Sequence, residues 1–511
     1  MKKYHNKLKY LVLVLVAPML YISGCSEDNN VIVNPPPVFS AGTANFAMYV
    51  SIGNSLTAGF QSKALSERDQ KYSFPSMIAK QAKAAGKFEQ PLIKNPGIGG
   101  RLRLVNLAPT IVEEPSVDPV PSSNLNIALA RPYNNLGVPG SVLGDMADVT
   151  DFVTKSVARR NPFFALILRS QALGNSIIRQ ARNLQATFVT AWIGNNDVLG
   201  YATSGGTSGT NLGLGGGTPR TLPTETFVFA SLYKKMLDSL QAEPRGIVVA
   251  NIPDVSTIPF FTTIGPKLAS GIPWGVIAAG QAALPLSGII YASKSGINIG
   301  LPFNIGFADS ASVKNLNVLF TLAGQTYAGL IGQPTGKFYK DNGFPALPPG
   351  IDTTKPFGVH PQNPFPDAYV LDPAEITIAK AAVDAFNSII ATEAGSRNIA
   401  VVDVNSFLKN LIAGGGMSVP GIGVFTSSFI TGGTFSYDGV HPSSRGYGII
   451  ANEWIKVINQ KFGANIPLVD LSSIPGLPIG KISTRNISYA PGVFNSMVRL
   501  MTGSRNWPVS N

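Results

Sequence analysis

Three histidines occur in the 511 residues, and two of them stand in the same tetrapeptide: GVHP ends at Pro361 within FGVHP and at Pro442 within DGVHP. A catalytic imidazole needs one ring nitrogen free to take a proton. The other nitrogen donates to a carboxylate that fixes the tautomer and steadies the imidazolium. Asp438 stands three residues before His441, whereas Phe357 stands three before His360. A carboxylate on a short loop can fold back to meet its histidine; a phenyl ring cannot. His441 is therefore the candidate base and Asp438 its orienting acid. Pro442 and the serines behind it would open a helix that pins the loop. His360 falls in a proline-rich loop, Pro356 to Pro366, and His5 in an N-terminal segment that is read as cleavable. A surface histidine beside a turn aspartate would give the same letters, so the pair needs a nucleophile elsewhere.

Upstream blocks supply one. GNSLTAG places Ser55 directly behind an apolar run, in a glycine-flanked turn where its hydroxyl would be exposed and its backbone N–H free to donate. NLGVPGS puts Gly140 in a second tight loop, where the missing side chain lets a backbone N–H approach a ligand. WIGNND ends another apolar run and offers the side-chain amide of Asn196. Serine attack on a carbonyl creates an oxyanion, and each donor aimed at it contributes about 2.7–4 kcal/mol to the transition state. The Ser55 and Gly140 N–H groups and the Asn196 amide would make three.

In this order the blocks resemble those of the SGNH, or GDSL-type, hydrolases. Ser55 matches the first block, Gly140 the second, Asn196 the third, and Asp438 with His441 the last. VANIPDVSTIP is similar to a family segment that often reads LPDLG…P. One departure is visible, since the usual GDS reads GNS, with Asn54 in place of aspartate. The resemblance implies an α/β fold, a flavodoxin-like three-layer sandwich with a parallel sheet. It also implies a carboxylic ester hydrolase with a Ser55–His441–Asp438 triad, needing neither cofactor nor metal.

The elements that must position these residues show in the hydrophobic pattern. Phe46–Gly53, Thr187–Gly194, Gly246–Pro253 and Asn398–Val404 are short apolar runs that read as buried strands. Helical patterns lie between them. In DPAEITIAKAAVDAFNSII, Asp372 reads as N-cap, Pro373 as the first position and Glu375 as the residue reaching back. Ile376, Ala379, Val383, Phe386 and Ile390 form its apolar stripe. The last helix follows HPSS, with Tyr447, Ile450, Trp454 and Ile458 on one face and Gly463 as its stop. Strands alternating with helices argue for a parallel sheet covered on both faces. Residues 203–218 form a glycine loop. Residues 256–356 read as a long apolar insertion, in which Lys294 is the only charge between Leu268 and Ala308.

The N-terminus reads as a processing signal. Lys2, Lys3, Lys7 and Lys9 precede the apolar YLVLVLVAPMLYI, and ISGC closes it. ISGC resembles the lipobox of bacterial lipoproteins, which implies acylation of Cys25 and anchoring at the bacterial envelope. SEDNN behind it is similar to a surface-export signal, so the outer membrane is the expected site, with the face left open. The expected organisation is a signal peptide over 1–24, a tether over 25–41, a hydrolase domain over 42–465 and an extension over 466–511. Cys25 is the only cysteine, which excludes internal disulfides and thiolate zinc sites. A net charge of +12 on a chain with 13% charged residues and no dense basic tract argues against nucleic acid as partner. GQPTGKF is one spacer short of a phosphate loop, no HExxH occurs, and no GxSxG elbow is present.

The substrate these features suggest is an acyl ester, lipid or acylated glycan, with lipids and long-chain esters placed first because of the apolar insertion. The insertion could line a groove for acyl chains or merely add core around the sheet. Deacetylation of glycans, and a surface lipoprotein that binds without turnover, are the alternatives. The oligomeric state is open.

Overall fold

A computed structural model of the chain describes residues 38–104, 111–208, 222–243 and 245–477. The expected signal peptide, the expected lipidation site Cys25, most of the expected tether, residues 209–221 with most of the glycine loop, and residues 478–511 lie outside them.

Four of the five strands in the central sheet are the apolar runs of the sequence, trimmed at their ends. They are β1 (Tyr49–Gly53), β3 (Phe188–Trp192), β4 (Gly246–Ala250) and β5 (Ala400–Val402). The remaining strand, β2 (Asn135–Gly137), has one apolar side chain and no run to announce it. All pairings are parallel, in the order β2-β1-β3-β4-β5. This is the flavodoxin-like order, whose crevice opens outside the carboxyl ends of the strands where the order reverses, between β1 and β3.

Both sheet faces are covered, because alternate side chains of each strand point opposite ways. Val50, Ile52, Val189, Ala191, Ile247 and Val249 share one core. Tyr49, Phe188, Trp192, Val248 and Ala250 share the other. The short helices α1 (Ser55–Ala58), α2 (Phe74–Gln81) and α3 (Asn196–Thr203) follow the early strands. On the first face lie α4 (Thr226–Gln241) and α5 (Pro373–Gly395), joined where the rings of Phe229 and Phe386 stack 4.0 Å apart. After α6 (Val404–Ala413), α7 (Ser444–Phe462) covers the second face with α2, and Phe74 stacks on Trp454 at 5.1 Å.

The helix signals hold in detail. Asp372 and Glu375 form the reciprocal capping box of α5, and its stripe from Ile376 to Ile390 is buried. Ser443 caps α7, and Gly463 ends it in the left-handed conformation. The apolar region from Ser256 onward is a folded lobe. It contains a hairpin of Ile289–Ile297 with Ile305–Ala308 and several short helices. Leu319–Phe320, paired with Val370–Leu371, ties the lobe to the start of α5. Its buried rings, among them Phe260, Phe320, Tyr327 and Phe365, continue the first core. At the C-terminal side, Ile466, Leu471 and Ile474 are buried against the second. No helix among the described residues is long and apolar enough to cross a membrane.

Candidate active site

The register sets the site. Gly53 pairs with Trp192 on one side and with Gly137 on the other, so three chains leave the sheet at one level. Ser55 follows β1 by two residues, Gly140 follows β2 by three, and Asn196 follows β3 by four. Ser55 opens α1, whose N-cap is Asn54. The Asn54 Oδ1 accepts the Leu56 N–H at 3.0 Å, and its Nδ2 donates to Asn195 Oδ1 at 3.2 Å. An amide can do both; a carboxylate in that place could not donate. The Asn54 departure thus leaves the turn held from both ends.

His441 arrives on a loop closed on itself. Ser436 N–H donates to the His441 carbonyl at 2.8 Å. Inside that loop, Asp438 Oδ1 accepts the N–H groups of Val440 and His441 at 2.9 and 2.8 Å, and the Ser436 hydroxyl at 3.2 Å. Asp438 Oδ2 accepts the Lys63 N–H at 2.8 Å and lies 2.9 Å from His441 Nδ1. On the far side of the ring, His441 Nε2 lies 2.9 Å from Ser55 Oγ. Ser55, Asp438 and His441 are all buried, the ring leaning on Phe60 with 4.8 Å between centroids. Burial alone would raise the Asp438 carboxyl. The charge of His441 and the hydrogen bonds from its ring and from the backbone hold it below the ordinary carboxylate value.

The donors anticipated for an oxyanion are brought together in part. Ser55 and Asn196 line one cavity, and among the described residues no carbonyl accepts the Ser55 N–H. Asn196 Nδ2 donates one hydrogen to the Ser141 carbonyl at 2.8 Å, which fixes the orientation of an amide that carries two. Gly140, at φ +77°, occupies a conformation that favours glycine. It is not a lining residue; its loop joins the site through Ser141, whose hydroxyl donates to the Gly53 carbonyl at 3.1 Å. Asp197 ties the second loop to the third by accepting the Leu143 N–H and the Thr224 hydroxyl, each at 2.8 Å. Burial pushes its carboxyl up to about 7 against those two hydrogen bonds.

The cavity at Ser55 measures about 80 Å³. Its walls are Trp192, Leu199, Val404, Phe407, Leu408, Ile449 and Ile450. Of the expected apolar insertion, only Ile258 reaches it. The lobe meets the site from behind instead, where Phe260 N–H donates to the Gly439 carbonyl at 2.9 Å. His360 lines a different cavity, and the two share no residue.

Sequence reasoning missed several contributors. Ser62 and Lys63 both have positive φ, and this carries the Lys63 N–H to Asp438; nothing in QSK signals it. The α6 wall had a signal, since Val404, Phe407, Leu408 and Leu411 recur at helical spacing.

Residues 336–454 match the family model described as GDSL-like Lipase/Acylhydrolase, a stretch that contains Asp438 and His441. This match supports a hydrolase of the SGNH family. No curated protein and no solved structure matches it.

Proposed function

We propose that the protein is a serine ester hydrolase in which Ser55, His441 and Asp438 act as a triad. The observation that carries this is the unbroken line from Ser55 Oγ through the imidazole to Asp438, both links 2.9 Å long and out of water. His441 takes the Ser55 proton as Oγ attacks the acyl carbonyl, and returns it to the leaving alcohol. Water then attacks the acyl-enzyme by the same route in reverse. Asp438 holds the tautomer that leaves Nε2 ready to accept. The Ser55 N–H and the Asn196 amide, which line the cavity, stabilise the oxyanion, and the Gly140 N–H joins them if its loop closes on the substrate.

An apolar cavity of about 80 Å³ suits a short acyl group, against the roughly 300–1,000 Å³ typical of drug-sized ligand sites. This size favours acetyl and other short esters, and with them the second reading, deacetylation of glycans. Lipid esters remain substrates if the chain extends past α6. The lipobox-like ISGC supports anchoring through acylated Cys25 at the bacterial outer membrane. Chain lacking residues 1–25 should hydrolyse a p-nitrophenyl ester series, most rapidly at short chain length, and Ser55→Ala should abolish turnover. No hydrolysis at any chain length would sink the enzyme and leave a binding lipoprotein. For the anchor, Cys25→Ser should move the protein from the membrane to the soluble fraction.

A further inference from the structure

The lobe contains a cavity of about 790 Å³, far larger than the one at Ser55 and within the range of ligand sites. Ile264, Leu268, Ile272, Val276, Ile277 and Ile331 supply apolar parts of its wall. Two basic residues also line it. Lys267 Nζ is out of contact with water and has no hydrogen-bond partner among the described residues. Burial alone pulls its ammonium down to about 8, with no carboxylate close enough to oppose the shift. An uncompensated buried cation is costly, and an anion is what relieves it. His360 Nδ1 accepts the Gln362 N–H at 3.2 Å, so the neutral ring carries its hydrogen on Nε2 as a donor.

The outer wall of this cavity is unusual for a protein surface. The helix Trp274–Gly280 is wholly apolar and none of its residues is buried. Val276, which lines the cavity, is 72% exposed. Uncharged apolar segments left in water at the rim of a cavity mark a place where apolar matter arrives.

We infer that this lobe binds a single-chain amphiphile with an anionic head, its chain between the apolar walls and its head at Lys267. The occupant follows from the pairing of features: the walls take a hydrocarbon, and the unpartnered cation takes a negative charge. Binding here does not require Ser55 to be a nucleophile.

Titration of the full chain with palmitate, with hexadecanol as the uncharged equivalent, tests this. Palmitate should bind, and Lys267→Met should weaken it at least tenfold while leaving hexadecanol within twofold. Gly329 lines the cavity at an ordinary φ of −71°, and a Cβ there meets nothing within 4 Å. Gly329→Phe should therefore fill the cavity and weaken both ligands without altering the melting temperature. Ser55→Ala should change neither, which separates this result from the fate of the hydrolase reading. A parallel titration with palmitoyl lysophosphatidate identifies the preferred head as phosphate if it binds tighter than palmitate, and as carboxylate if it binds more weakly. Absence of binding by the wild type, or wild-type palmitate affinity in Lys267→Met, overturns the inference. So does undiminished binding in Gly329→Phe.

Discussion

The two GVHP loops share four residues and little else. Around His441 the polar atoms are matched: Asp438 alone receives five donors, and the ring is held on both nitrogens in a space of about 80 Å³. Around His360 a cavity about ten times larger is lined by a cation that has no hydrogen-bond partner among the described residues, and the ring accepts at Nδ1 from its own loop. The first environment is built to fix a geometry, the second to leave room. What separates them is the residue three places upstream. Asp438 makes its turn into a rigid frame, whereas Phe357 is buried among the rings of the lobe, its ring tilted against Phe365 with 5.5 Å between centroids.

The largest expected effect separates the two loops outright. His441→Ala and Asp438→Asn should each lower kcat for a short ester by at least about 10⁴-fold. His360→Ala should leave kcat within twofold. Equal losses from both histidines, read from steady-state kinetics, would erase the distinction. Next comes Asn196→Ala, with a loss of about 10²–10³-fold in kcat and little change in KM if the amide acts on the oxyanion alone. A rise in KM at constant kcat would assign it to ground-state binding instead.

The seam between lobe and sheet domain offers a third test. There the hairpin residues Ser293 and Ser295 donate to Asp372, while a half-buried Asp367 and a buried Glu375 lie beside Lys294. Burial pushes Asp367 up to about 8, against the pull of Lys294. Burial and then the charge of Asp367 push Glu375 up to about 9. Both folded values exceed those of an unfolded chain, so the folded protein holds protons that the unfolded chain has released. Stability is then greatest below about pH 4 from these groups, and declines until pH passes about 8–9. Denaturant midpoints should fall steadily as pH is raised from 5 to 9. Asp367→Asn should flatten the slope. The smallest effect concerns the brace behind His441. Gly439 has φ +70°, and a Cβ there would lie 3.0 Å from the Phe260 nitrogen. Gly439→Ala should cost about 1–2 kcal/mol, measured by thermal melting, with a several-fold fall in kcat as His441 shifts.

Much of this was legible before any coordinates. Four strands showed as apolar runs because parallel strands are buried on both faces. Both long helices announced their caps. The residues proposed as a triad carry side chains of distinctive chemistry, so their order along the chain could be read. Harder to see was β2, an edge strand of three residues reading NLG, whose Asn135 is spent on the Thr57 carbonyl. The lobe's relation to the site was hidden for a different reason. Apolar content predicts burial but not against what, and this lobe's rings extend the first core instead of walling the Ser55 cavity. The Lys63 contribution comes from backbone conformation, for which its side chain gives no sign.

One consequence of the aligned strand ends concerns what the chain can tolerate. A strand advances about 3.3 Å per residue, and a shift of two preserves which side chains face which core. Such a slip of β3 against β1 would leave the cores well packed, yet carry Asn196 about 6.6 Å from its place beside Ser55. Folding stability would scarcely register the error, while turnover would vanish. Insertions and deletions should therefore be harmless within the lobe's outer turns and ruinous in the two-, three- and four-residue spacers behind Gly53, Gly137 and Trp192.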